Sequence, residues 1–270
     1  MPYQVITPDR APEDDPPVER AMVVVAHPDD AEFGAGGLVA KLVAAGVEVV
    51  YVVLTAGNRG GEGDRSEVEL AAERDREQRA AAGALGVGTI VNLGFDDGTL
   101  EPSIEVRKAI TRAIRQHRPN LVVTQNPVRN FGPIGGNHPD HLAVGEATLA
   151  ALYPTARNPM AFPELLAVEG LDKWVVDWVY VFGTDQEDHY EDIDAVMDRK
   201  LTALLAHASQ LGPEVEGWVR QRCGELAARA RERGLGEMRY AEAFKRMYTG
   251  QRGRPTPASV EKERDPAQGD

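Results

Sequence analysis

A short apolar run that stops abruptly at one imidazole and three carboxylates constrains this chain more than any other stretch. Residues 22–26, Met-Val-Val-Val-Ala, are continuously apolar, as a parallel strand buried on both faces requires. His27, Pro28, Asp29, Asp30, Ala31 and Glu32 follow at once, then Gly34, Gly36 and Gly37, then a helix-spaced apolar segment from Leu38. Strand, polar loop and helix in that order open a βαβ unit, and open α/β sheets hold ligands at the carboxyl ends of their strands. His27 and Asp30 are close enough in a tight turn to reach one cation, and imidazole nitrogen and carboxylate oxygen are both zinc donors. Asp29 between them is free to act as a base. A Pro-Asp-Asp turn that merely caps a helix is the ordinary alternative. Against it stands a second cluster after another apolar run, His138-Pro139-Asp140-His141, which again opens a helical pattern.

The alternation continues between the clusters. Residues 47–54, 89–93 and 121–124 read as strands, and 38–45, 67–85, 104–117 and 142–152 as helices, with Gly46 and Gly86 at C-cap positions. This predicts an α/β fold: a Rossmann-like, doubly wound, mostly parallel sheet with helices on both faces. After Pro154 the pattern changes to a C-terminal strand and helix extension. It reads as a strand at 174–183, an acidic loop at 184–190, helices at 193–209 and 214–233, and a short amphipathic helix at 240–248. Residues 1–20, rich in Pro and acids, read as a flexible arm, 21–248 as a single domain, and 249–270 as a disordered tail.

A formal net charge of −13 argues against nucleic acid or an anionic membrane as partner. Cys223 is the one cysteine, which excludes an intrachain disulfide, suits a reducing compartment and, far from both clusters in sequence, earns no catalytic role. The first twenty residues lack the basic and apolar regions of a signal peptide, and no apolar run reaches membrane-spanning length, so a cytoplasmic location is expected. The Gly-rich loop at 55–65 carries neither a Walker nor a Gly-x-Gly-x-x-Gly pattern and reads as a mobile rim of the substrate pocket. His207, beside Leu204 and Leu205, reads as a packed histidine.

The two motifs together, His-Pro-Asp-Asp and His-Pro-Asp-His, resemble the LmbE-like (PIG-L) family of zinc-dependent N-acetylglucosaminyl deacetylases, over roughly residues 22–248. The resemblance implies metal ligation by His27, Asp30 and His141, with Asp29 as general base for a metal-activated water that attacks an acetamide. It further implies that His138 stabilises the oxyanion and protonates the leaving amine, while Asp140 holds the His138 ring. Arg74 and Asp97 would bind sugar hydroxyls, with Asp96 the alternative in that loop, and His189 would border the pocket. An ion pair with Glu77 within one helix is the ordinary explanation of Arg74. Two imidazoles and a carboxylate suit Zn2+, with Fe2+ or another divalent ion open to the same set. A small-molecule N-acetylated sugar is the expected substrate, an amide of a thiol S-conjugate or an antibiotic intermediate the alternative, and a homo-oligomer is left open. Glu32 stands one residue later than in many members and has no assigned role.

Overall fold

The computed structural model describes Tyr3 and residues 17–61, 64–131 and 134–250. The apolar runs become the centre of one seven-stranded sheet, in the order β3-β2-β1-β4-β5-β7-β6. β1 (Arg20–Val25) pairs in parallel with β2 (Glu48–Thr55) on one side and with β4 (Leu121–Gln125) on the other. β3 (Thr89–Phe95) continues the parallel sheet beyond β2, and β5 (Trp178–Phe182) beyond β4. Side chains alternate between two cores. Val23 and Val25 pack under α1 (Asp30–Ala44), α2 (Glu67–Leu85) and α6 (Met197–Leu204), through Leu38, Ala81, Leu85 and Ala203. Met22 and Val24 pack under α3 (Ile104–His117) and α4 (Pro139–Ala150), through Ile110, Ile114, Val144 and Ala147. This is the expected mostly parallel sheet with helices on both faces. The order reverses between β1 and β4, so a crevice opens at their carboxyl ends.

The extension departs from its reading. Residues 240–248, expected as a helix, form β7 (Ala241–Tyr248), antiparallel to β5 on one side and to β6 (His189–Asp192) on the other. Over so few residues helical spacing and strand alternation are hard to tell apart. The open edge of β5 decides, because pairing satisfies its backbone and buries Phe244 against Tyr180. The helix expected at 193–209 divides into a 3-10 turn (Asp194–Val196) and α6, which ends at Leu204. Pro163–Ala167 (α5) and Val215–Glu232 (α7) complete the helices. The N-terminal arm is not wholly apart from the fold: Val18 is buried in the core and bridges to Tyr3, whose hydroxyl donates to Glu191. Residues 1–2 and 4–16 of the arm and 251–270 of the tail lie outside the described residues. Among the described residues no helix is long and apolar enough to cross a membrane.

Two buried charges tie the extension to the first βα unit. Lys200 of α6 donates from Nζ to Glu242 Oε1 at 2.6 Å and to the carbonyls of Glu32 and Phe33 at 2.8 Å each. Glu242 of β7 in turn accepts from the backbone N–H groups of Gly37 and Leu38 at 2.7 and 2.8 Å. Breaking such a pair leaves an uncompensated charge in the interior. Lys200→Met should therefore lower stability by about 3–5 kcal/mol, read from the urea midpoint. A loss within experimental error would mean that water reaches Glu242.

Candidate metal centre

The adjacency of β1 and β4 brings together the loops that follow them, and with them the two His/Asp clusters. His27 lies two residues past β1, Asp30 opens α1, and His141 stands in the first turn of α4 behind Pro139 at the N1 position. Close packing sets the second cluster in place: a Cβ at Gly145 of α4 would lie 2.4 Å from the Gln125 carbonyl at the end of β4. His27 Nδ1 is 3.2 Å from His141 Nε2 and 3.4 Å from Asp30 Oδ2, and His141 Nε2 is 3.1 Å from Asp30 Oδ1. A tetrahedral ion with bonds of about 2.0–2.1 Å needs donors about 3.3 Å apart, so these three residues fit one divalent ion. The His138 ring adjoins both imidazoles, with centroids 4.8 Å from His27 and 5.1 Å from His141. His27, His138 and His141 thus form a second donor grouping, and His27, Asp97 and Asp140 a third. The first set suits an ion better than the third, because His27 already spends its other nitrogen on Asp97 and Asp140. It suits one better than the second, because His138 Nδ1 is taken up by the Asp140 N–H.

That other nitrogen gives Asp140 and Asp97 a partner that the sequence reading did not anticipate. Asp140, expected to hold His138, instead places Oδ2 3.2 Å from His27 Nε2. Its carboxylate also accepts from the backbone of Gly98 and Leu100, at 2.8 and 3.1 Å, which joins the loop after β3 to the site. Asp97, expected at sugar hydroxyls, is buried with Oδ1 3.1 Å from the same His27 Nε2, while Oδ2 accepts from the Arg59 N–H at 2.8 Å. Carboxylates behind an imidazole fix its orientation, and Nδ1 is left facing Asp30 and His141. Burial works against a charged His27, but Asp140, Asp30 and Asp97 outweigh it and push the ring up to about 12. A proton on Nδ1 and a metal there exclude each other, so metal uptake releases it. Burial likewise opposes the Asp30 carboxylate, yet His141 and His27 hold it well below the usual range.

His138 caps α4, with Nδ1 accepting from the Asp140 N–H at 3.2 Å. An accepting Nδ1 puts the proton of the neutral ring on Nε2. Burial, followed by its neighbours His27 and His141, lowers its pKa, so the expected cationic form is disfavoured.

Asp29 sits at φ 94°, a strained left-handed backbone of the kind that clusters at functional sites. Its N–H is held by Gln78 Oε1 at 3.1 Å, and its Oδ2 by Arg74 Nη2 at 3.1 Å. Burial and then Asp30 raise its carboxyl to about 7, against the pull of Arg74. Arg74 is only 4% exposed and also donates to the carbonyls of Pro28 and Gly57, at 2.6 and 2.8 Å. It does not pair with Glu77, which accepts instead from Ser209. The His189 ring meets Glu191 at 2.8 Å and packs on Tyr180 of β5. The loop at 55–65, described except for residues 62–63, is tied to Asp97 and Arg74 rather than lining the cleft.

Sequence reasoning missed the layer beneath Asp29. Gln78 Nε2 donates to Glu32 Oε1 at 3.1 Å, and Glu32 Oε2 lies 3.3 Å from His207 Nε2, all three residues being buried. Gln78 lies one helical turn after Arg74, on the same face of α2, which was the available signal. Cys223 was placed far from the motifs, but α7 brings it to the wall of a cleft that also contains Asp30 and His141.

Residues 22–152 match the family model PIG-L, GlcNAc-PI de-N-acetylase. The chain is 36% identical to diacetylchitobiose deacetylase of Thermococcus kodakarensis, over 73% of this chain and 72% of that one. It is 33% identical to a probable N-acetyl-alpha-D-glucosaminyl L-malate deacetylase 2 of Bacillus cereus, over 70% and 82% of the two chains. The solved N,N'-diacetylchitobiose deacetylase from Pyrococcus horikoshii superposes with a TM-score of 0.77 at 29% identity, covering 85% of this chain and 84% of that one.

Proposed function

This chain belongs to the PIG-L family, and we propose that it is a metal-dependent N-deacetylase acting on an N-acetylglucosamine-type glycoconjugate. The observation that carries the reading is the convergence of His27, Asp30 and His141 donor atoms within 3.1–3.4 Å, beside an Asp29 that is outside that set. Three protein donors and an acid left over suit hydrolysis, where an open position and a base are both needed. A divalent ion held by His27, Asp30 and His141, zinc by donor type, would polarise the amide carbonyl and acidify water.

The chain's own groups account for the proton traffic. Asp29 takes a proton from the attacking water, and its raised pKa suits a base working near neutrality. Arg74 and Gln78 hold it in place from two sides. The His138 Nε2–H donates to the carbonyl oxygen as negative charge develops there. Collapse breaks the C–N bond as Asp29 returns its proton to the leaving nitrogen, releasing acetate and a free amine.

Metal-replete protein should release equal amounts of acetate and primary amine from N,N'-diacetylchitobiose, measured by enzymatic acetate assay and amine derivatisation. Absence of both products from N-acetylated sugars, with metal bound, would overturn the reading.

A further inference from the structure

Two buried residues, Glu32 and His207, have no part in the proton traffic, yet both stand behind the base. Asp29 is the N-cap of α1, and its carbonyl accepts the first helical bond, from the Phe33 N–H at 3.0 Å. Glu32 is then the N3 residue, whose carboxylate in a capping box reaches back to the N-cap N–H. Here, with Asp29 at φ 94°, that N–H meets Gln78 Oε1 of α2 instead, at 3.1 Å. The same amide donates from Nε2 to Glu32 Oε1 at 3.1 Å, so Gln78 is a bridge within the box. The two ends of an amide are alike in shape, and Gln78 turned over would set its NH2 against the Asp29 N–H, donor against donor. Glu32 prevents this, because a carboxylate only accepts and needs the Gln78 NH2 on its own side. Its other oxygen lies 3.3 Å from His207 Nε2, which therefore carries the ring's proton. His207 Nδ1 is buried and has no hydrogen-bond partner among the described residues, so the bond to Glu32 is the one the ring makes through its nitrogens. Glu32 and His207 are 0% exposed and Gln78 2%, so water does not replace a lost partner.

We propose that Glu32 and His207 are positioning residues for the general base. They set the sense of the Gln78 amide, and through it hold Asp29 in the left-handed turn from which its carboxylate works. The proposal rests on the deacetylase reading and deepens it. A non-glycine residue keeps such a backbone only where its surroundings over-determine it. Arg74 secures the Asp29 carboxylate and the Gln78 bridge its N–H, so loss of the bridge frees the backbone half of that hold. His207 follows α6, beyond the family match that ends at residue 152, so the C-terminal extension reaches the base through this chain of hydrogen bonds.

Exchanging the two side chains tests the sense of the chain. In the double variant Glu32→Gln/Gln78→Glu, the carboxylate at position 78 accepts from Asp29 and from the amide at position 32. That amide's oxygen accepts from His207, so every donor again meets an acceptor. Glu32→Gln alone turns a donor toward His207 or Gln78, and Gln78→Glu alone sets two carboxylates together. Two quantities are read on metal-replete protein. One is hydrogen exchange of the Asp29 amide by heteronuclear NMR, with the Val24 amide of the central strand β1 as control. The other is kcat and KM for N,N'-diacetylchitobiose, with bound metal measured alongside. Each single variant should speed Asp29 exchange and lower kcat, both by about tenfold or more, with KM within about twofold. Metal and Val24 exchange should not change, and the double variant should recover most of both losses. His207→Leu should behave like Glu32→Gln, while His207→Gln, which keeps a donor toward Glu32, should stay near wild type. If Gln78→Glu does not fold, Glu32→Gln alone is the reference for the double variant. A double variant no better than the worse single, in folding, exchange or kcat, overturns the proposal. So does faster exchange at Val24 to the same degree as at Asp29, which would make the chain a matter of fold stability, or loss of metal, which would place the effect at Asp30. Wild-type protein that releases no acetate, but whose Asp29 exchange follows these substitutions, would defeat the deacetylase reading and leave the hydrogen-bond chain standing. Acetate release with Asp29 exchange and kcat indifferent to Glu32→Gln would do the reverse.

Discussion

His141→Ala should lose bound metal and turnover together, from about one ion per chain to a small fraction of that, by elemental analysis after dialysis. The His141 Nε2 meets only His27 and Asp30 at the proposed centre, so its removal takes away a donor and leaves the buried carboxylates behind His27 paired. His27→Ala is the harsher change, since Asp30, Asp97 and Asp140 would all lose their common imidazole. Asp140→Asn should be milder. It weakens the hydrogen bond that orients His27 and should lower metal affinity by about 10–100-fold without abolishing binding. Full metal occupancy in His141→Ala would disprove the donor set. An Asp140→Asn protein as metal-free as His141→Ala would move Asp140 into it.

Asp29→Asn should keep its metal and lose about 10²–10⁴-fold in kcat, the usual worth of a general base. Asn is well suited to the comparison. It tolerates a left-handed backbone such as the φ of 94° at this position better than most residues, and its amide oxygen can still accept from Arg74. What it cannot do is take a proton. Because burial and Asp30 raise the Asp29 carboxyl, the base is lost on acidification from near neutrality, well above the range of an ordinary aspartate. Positive charge on neighbouring groups, Arg74 first among them, moves that limit lower. The wild-type rate should therefore climb as this group ionises, and Asp29→Asn should lack that limb of the pH profile. Near-normal turnover, or loss of the metal, would end the division of labour between Asp29 and Asp30.

Much of this protein could be read from its chain because short-range chemistry determined it. Continuous apolarity at residues 22–26 and 121–124 required buried parallel strands, and β1 and β4 are such strands. The His-Pro-Asp-Asp and His-Pro-Asp-His clusters each follow one of those strands, so sheet pairing alone brings His27, Asp30 and His141 to one point. Residues 240–248 were ambiguous in isolation, and only the unpaired edge of β5 made them a strand. The same holds for the charged side chains. Arg74 could have paired with Glu77, and Asp140 with His138; each is within reach of more than one partner in sequence. Which partner a buried charge takes depends on the convergence of four loops from different strands, where desolvation penalises every arrangement except the mutually paired one. Spacing along the chain therefore determined which atoms could reach an ion, and the tertiary structure decided which groups hold Asp29 and His27 in place.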